Sequence, residues 1–141
     1  MTSSTAPSFY TKFQTDTDAE TGEGVVLNYG ELGKIRIHRA GGRNRRFTNL
    51  RQAKFKPYTR QLQNDTMDED VARAIAIEVY AKTVIVGWEG VKGRDGNDLP
   101  FNEENVITLM TDLPDLFRDV QAAADDRSLF LADAEKAAEG N

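Results

Sequence analysis

Val71-Ala72-Arg73-Ala74-Ile75-Ala76-Ile77-Glu78-Val79-Tyr80-Ala81-Lys82-Thr83-Val84-Ile85-Val86 is the stretch on which the fold turns. It is apolar almost all round, with charge only at Arg73, Glu78 and Lys82. A helix apolar on most faces is buried on most faces, so this run is expected to be the central helix. Thr66-Met67-Asp68-Glu69 reads as a capping box at its start, with Asp68, Glu69 and Asp70 set against the positive end of the helix dipole. The end of the run, Thr83 to Trp88, is rich in β-branched residues and would also suit a strand. No break signal comes before Gly87, so the run is read as one helix over about 67–86.

Upstream, Asn44 to about Gln63 reads as helical, with Phe47, Leu50, Phe55, Tyr58 and Leu62 on one apolar stripe. Pro57 must kink this helix or start a second one. Before it, residues 24–40 read as a β-hairpin. Val25, Leu27 and Tyr29 alternate on one strand, Ile35 and Ile37 on the other, and Gly30-Glu31-Leu32-Gly33 supplies the turn. Residues 1–23 are polar and read as a mobile arm. Phe9, Tyr10 and Phe13 are its exception, an aromatic cluster that docks either on the same domain, the favoured reading, or on a partner.

Downstream, Lys92-Gly93 and Asp95-Gly96-Asn97-Asp98 carry turn chemistry. Asn102 is an N-cap for a short helix over about 102–111, and Pro114 starts another that runs to about 131. Residues 132–141 form a polar tail. The expected fold is therefore α+β, mainly α: a hairpin packed on a small helical bundle within residues 24–131. Its core should come from Val25, Leu27, Ile35, Ile37, Phe47, Leu50, Ile75, Val79, Val84, Trp88, Phe101, Ile107 and Phe117.

The chain has 141 residues, no Cys and one His, His38. Disulfides and thiolate metal sites are excluded, and any triad base could only be His38, which sits on the polar side of a strand. No G-x-S-x-G, no G-x-x-x-x-G-K-[ST] and no EF-hand spacing occurs. Asp68 to Asp70 and Asp125-Asp126 occupy polar helix surfaces, where nothing would desolvate a catalytic carboxylate. The reading is therefore not an enzyme, with no cofactor and no metal. No stretch approaches the roughly 20 apolar residues needed to span a bilayer, so no membrane partner is expected.

Charge is the feature with most weight. Lys34 to Arg60 holds ten Lys or Arg and no acidic residue, although the whole chain is at −5. Such asymmetry marks an interaction surface or self-association of unlike patches. Arg43, Arg45, Arg46, Arg51, Lys54 and Arg60 are the candidate contacts for a partner or a second copy. A nucleic-acid contact would need stacking aromatics, but Phe47, Phe55 and Tyr58 lie on the stripe claimed by the core, and the overall acidic balance disfavours phosphate.

The order of signals resembles the tail assembly chaperones of long-tailed, siphophage-type bacteriophages. Ile35-Arg36-Ile37-His38-Arg39-Ala40-Gly41 is followed by Lys56-Pro57-Tyr58-Thr59-Arg60-Gln61. Trp88-Glu89-Gly90-Val91, Asp95-Gly96, Leu99-Pro100-Phe101 and Glu104-Asn105 come next, then Leu109-Met110-Thr111-Asp112-Leu113-Pro114-Asp115-Leu116-Phe117. The resemblance spans about residues 24–131. It implies a protein of the host cell cytoplasm, absent from the mature virion, that coats the tape measure protein and helps recruit the tail tube protein. It also implies homo-oligomers and, through a ribosomal frameshift, a longer form of the chain. A structural tail or head–tail connector subunit of the virion, and a nucleic-acid-binding module built on residues 34–60, are the competing readings.

Overall fold

A computed structural model describes residues 6–132. The remainder of the expected arm and the tail from 133 onward lie outside the described residues. Three strands, β1 (Val25–Asn28), β2 (Lys34–Ile37) and β3 (Ile85–Glu89), form one antiparallel sheet in the order β1-β2-β3. Among the described residues the helices are α1 (Phe9–Phe13), α2 (Thr17–Thr21), α3 (Arg45–Phe55), α4 (Thr59–Gln63), α5 (Glu69–Thr83), α6 (Glu103–Asp112) and α7 (Pro114–Ala124). The fold is α+β and mainly α. None of these helices is long and apolar enough to cross a membrane.

The expected hairpin forms, with Val25 opposite Ile37 and Leu27 opposite Ile35. These four side chains share the face turned to the helices, and Ile35 and Ile37 are fully covered. Gly33 closes the turn at φ 119°, where a Cβ would stand 2.8 Å from the Glu89 carbonyl oxygen. The sheet gains a third strand that the continuous-helix reading left out. The run from Val71 does not stay helical to Val86: α5 stops at Thr83 and β3 begins two residues later.

The reason is local and tertiary together. Thr83-Val84-Ile85-Val86 is β-branched, which crowds a helix and suits a pleated strand. The last carbonyls of α5 are then taken from outside the helix: Arg46 Nη2 donates to the Lys82 oxygen at 3.0 Å and Asn44 Nδ2 to the Thr83 oxygen at 2.8 Å. With its orphan acceptors satisfied, the helix can end without a glycine. A register shift between Arg36 and Ile37 then lets Ile85 pair with Ile37 and Trp88 with Ile35.

Other boundaries move for similar reasons. The cap of α5 is Asp68, whose Oδ1 accepts from the N–H groups of Asp70 (2.8 Å) and Val71 (3.2 Å); the Thr66 hydroxyl points back to the Gln61 oxygen instead. Pro57 breaks the 44–63 helix into α3, a 3-10 turn over Lys56–Tyr58, and α4. The helix read to residue 131 ends at Ala124. Asp126 recaps the chain, and a 3-10 turn over Arg127–Phe130 drives Phe130 into the core.

Ile35, Ile37, Val79, Val84 and Phe117 are buried as expected, joined by Ile77, Tyr80, Val106, Met110, Val120 and Phe130. Leu50 and Ile75 are only half-buried, and Phe101 lies on the surface against the ring of Trp88. The Trp88 indole donates to the Leu99 carbonyl at 2.8 Å, which pins the 90–99 turn to the sheet.

The polar arm is also corrected. Residues 15–23 belong to the folded body: Thr15 bridges Leu131, the Asp16 N–H donates to the Phe130 oxygen at 2.8 Å, and Glu20 of α2 is fully buried. In contrast, α1 leaves Phe9 83% and Tyr10 78% exposed, while Phe13 has the Arg127 guanidinium 4.6 Å over its ring.

Candidate functional site

An open groove of about 1280 Å³ runs along the helices. One wall is α3 and α4, the floor is α5, and the other wall is α7. It exists because Ala72 and Ala76, one turn apart on α5, place small side chains where larger ones would fill the space. Below them Tyr80 stands edge-on between Phe47 of α3 and Phe117 of α7, with ring centroids 5.7 and 5.2 Å away. These edge-to-face contacts fix an aromatic end to the groove. Burial first, then the Asp125 charge, pushes the Tyr80 phenol up to about 12, so it stays neutral.

Charges line the rim. Arg51, Lys56, Arg73 and Arg118 line the groove together with Glu69 and Asp125. Arg51 lies 5.6 Å over the Phe55 ring. Arg73 and Arg118 each hold an exposed pair with an acidic residue three positions earlier, Asp70 at 3.4 Å and Asp115 at 3.1 Å. Such exposed pairs are worth little and can exchange partners. The groove is larger than the roughly 300–1,000 Å³ usual for small molecules. An apolar, aromatic floor under a charged rim is instead the shape that accepts one face of an amphipathic helix.

The six candidate contacts divide into two sets. Arg43, Arg46 and Lys54 are tied into the fold. Arg43 meets Glu20 and the Thr17 hydroxyl, Arg46 caps α5, and Lys54 pairs with Glu78 at 2.7 Å. Arg51 lines the groove, while the exposed side chains of Arg45 and Arg60 make no ion pair among the described residues. The basic run is thus partly scaffold and partly surface. Lys54, then burial, then Lys82 set the balance at Glu78, whose carboxyl is held below its ordinary range.

Among the described residues Glu20 is the fully buried charged side chain. Its Oε2 takes the Arg39 guanidinium and the Arg43 backbone N–H, both at 3.1 Å, while Oε1 makes no hydrogen bond and has Arg43 Nε at 3.7 Å. Burial alone would raise this carboxyl; the Thr15 hydroxyl beside it, the Arg43 N–H and Arg39 outweigh it and hold it below its ordinary value. Gly42 at φ 54° gives it room, since a Cβ there would stand 2.2 Å from Oε2. His38 sets its Nε2 2.8 Å from the Gly22 oxygen, which ties α2 to the end of β2.

The groove and the Glu20 clasp were both missed in the sequence. For the groove the available signal was Ala72 and Ala76 at helical spacing beneath the basic helix. For Glu20 there was none, because Arg39 and Arg43 lie far along the chain.

Residues 42–141 match the family model described as YdaY prophage protein. No curated protein and no solved structure matches the chain.

Proposed function

Because the chain belongs to the YdaY prophage protein family and is therefore phage-derived, we propose that it is a tail assembly chaperone. It would hold the tape measure protein in solution and help recruit tail tube protein in the host cell cytoplasm, and would leave before the virion is complete. The identity of the partner comes from the resemblance in residues 24–131. The groove between α3, α5 and α7 is the observation that carries the physics.

A long helical client that has not yet been assembled exposes apolar helix faces. The groove offers such a face the rings of Phe47, Tyr80 and Phe117 and, at its edge, both signs of charge. Contacts of this kind are moderate and exchangeable, which suits a protein that must later let go. Phe47 turns toward Tyr80 rather than out from the basic face, so it is no stacking platform for a nucleic acid.

The test is co-expression of the full chain with the tape measure protein of the same prophage. A soluble complex that is absent from purified particles is the expected result. A tape measure protein that stays insoluble beside the folded chain would sink the reading, and stoichiometric chain in finished virions would favour a structural subunit.

A further inference from the structure

We infer that the Tyr80 hydroxyl sets the specificity of the groove: it receives a carboxamide side chain, Asn or Gln, from the face of a helix lying there. That the helix belongs to the tape measure protein rests on the proposed function; the choice of side chain comes from the groove.

Tyr80 is only 6% exposed. A phenol so covered ordinarily has a hydrogen-bond partner, because its desolvation is otherwise not offset. Among the described residues this hydroxyl has none. Tyr29 is the contrast, since its hydroxyl donates to Asp119. The Tyr80 oxygen is not sealed in either: Tyr80 lines the groove, and the sealed, unpaired side-chain atom of the described residues is Glu20 Oε1. Its unused bonding capacity is therefore offered to whatever the groove holds. Phe47 and Phe117 clamp the ring edge-on, so the hydroxyl is oriented before a client arrives.

The neighbours choose the chemistry of the occupant. Arg51 and Asp125 line the groove with Tyr80, and neither forms an ion pair among the described residues. Both are felt at the phenol, with opposite sign. A carboxylate on the client would gain Arg51 and be repelled by Asp125, and an ammonium would meet the reverse. An aliphatic side chain would leave the hydroxyl unpaired. A carboxamide carries donors and an acceptor with no net charge. Its oxygen accepts from the Tyr80 O–H while its N–H groups donate to Asp125. Burial keeps the phenol protonated and so able to donate.

Helical peptides tiled along the tape measure protein, titrated against the full chain by fluorescence anisotropy, test this. Tyr80→Phe removes one oxygen and should bind the tightest peptide about tenfold more weakly. Its urea midpoint should stay level or rise, since no bond is lost in the free chain. Tyr29→Phe should do the opposite, losing stability through Asp119 and keeping wild-type peptide binding. Replacing each Asn or Gln of that peptide by Ala in turn should reveal one position at which Tyr80→Phe no longer matters. Three results would each overturn the inference while the tape-measure reading stands. They are undiminished binding by Tyr80→Phe, a fall in its urea midpoint as large as that of Tyr29→Phe, and equal sensitivity of every peptide variant to Tyr80→Phe. A wild-type chain that binds no peptide at all overturns both.

Discussion

The side chain of Asn44 joins two helices and a strand connection at once: its Nδ2 donates to the Thr83 carbonyl and to the Arg39 carbonyl, each at 2.8 Å, while its Oδ1 caps α3 at the Phe47 N–H. It is nearly fully buried. Replacing it with Ala removes the cap and leaves two carbonyls without partners inside the protein. Loss of a cap costs about 0.5–2 kcal/mol and each unsatisfied buried group about 1–3. Asn44→Ala is expected to lose at least about 2 kcal/mol in urea unfolding. A loss no larger than that of an exposed control such as Asn49→Ala would show that the junction is not structural.

Glu20 should be the costliest charge to remove. Breaking one partner from a buried ion cluster costs about 3–5 kcal/mol, because the remaining charges are left uncompensated. Glu20→Ala strands the largely covered Arg39, while the exposed Arg43 stays solvated, so thermal unfolding should show a loss toward the lower end of that range. Gly42→Ala should also destabilise, since it pushes a methyl group onto the same carboxylate at a positive φ.

Acid should weaken the protein in a defined window. Glu20, Glu78 and Asp126 all have folded pKa values below their ordinary ones. Burial opposes this at Glu20 but is outweighed by its donors; Lys54 leads at Glu78, and the Ser128 hydrogen bonds lead at Asp126. A depressed carboxyl contributes stability that is complete above the unfolded value and is lost as pH falls through the folded one. Stability should therefore hold above pH 4.5 and decline below it. In Glu20→Ala the acid slope should be shallower, and an unchanged slope would count against the clasp.

At the alkaline end the sign reverses. The folded state keeps the Tyr80 proton up to about 12, chiefly through burial, and Tyr29 is raised by burial and by its hydrogen bond to Asp119. Above the ordinary tyrosine value of 10 the folded state then binds more protons than the unfolded, so stability falls as pH rises. Ultraviolet titration should show two of the four tyrosines ionising late, and the delay should vanish in urea.

Reversing Arg45, Arg51 and Arg60 together should abolish binding to the tape measure protein while circular dichroism stays that of the folded chain. The matching reversal of Arg43, Arg46 and Lys54 should instead unfold it, because those three are spent on Glu20, the end of α5 and Glu78. Full client binding by the folded Arg45, Arg51 and Arg60 variant would remove the basic face from the site.

What could be read in the sequence was what short-range pattern encodes. Period-two alternation revealed β1 and β2, and Asn102 and Pro114 marked helix starts that the structure keeps. The end of α5 was ambiguous, since the β-branched run permits either state and the decision comes from Asn44 and Arg46, distant in sequence. The clasp on Glu20 was invisible for the same reason. Within the basic run, composition could not separate the arginines that hold the fold from those that face outward.

The segment shared with the prophage family begins at residue 42, yet β1, β2 and Glu20 all precede it. A fragment cut there would keep β3 without β2, its one neighbour in the described sheet, and would carry Arg43 without its counter-charge. Inherited similarity and mechanical autonomy thus have different borders in this chain. The part that marks its ancestry is too small to stand alone, and the preceding twenty or so residues complete it the way a keystone completes an arch.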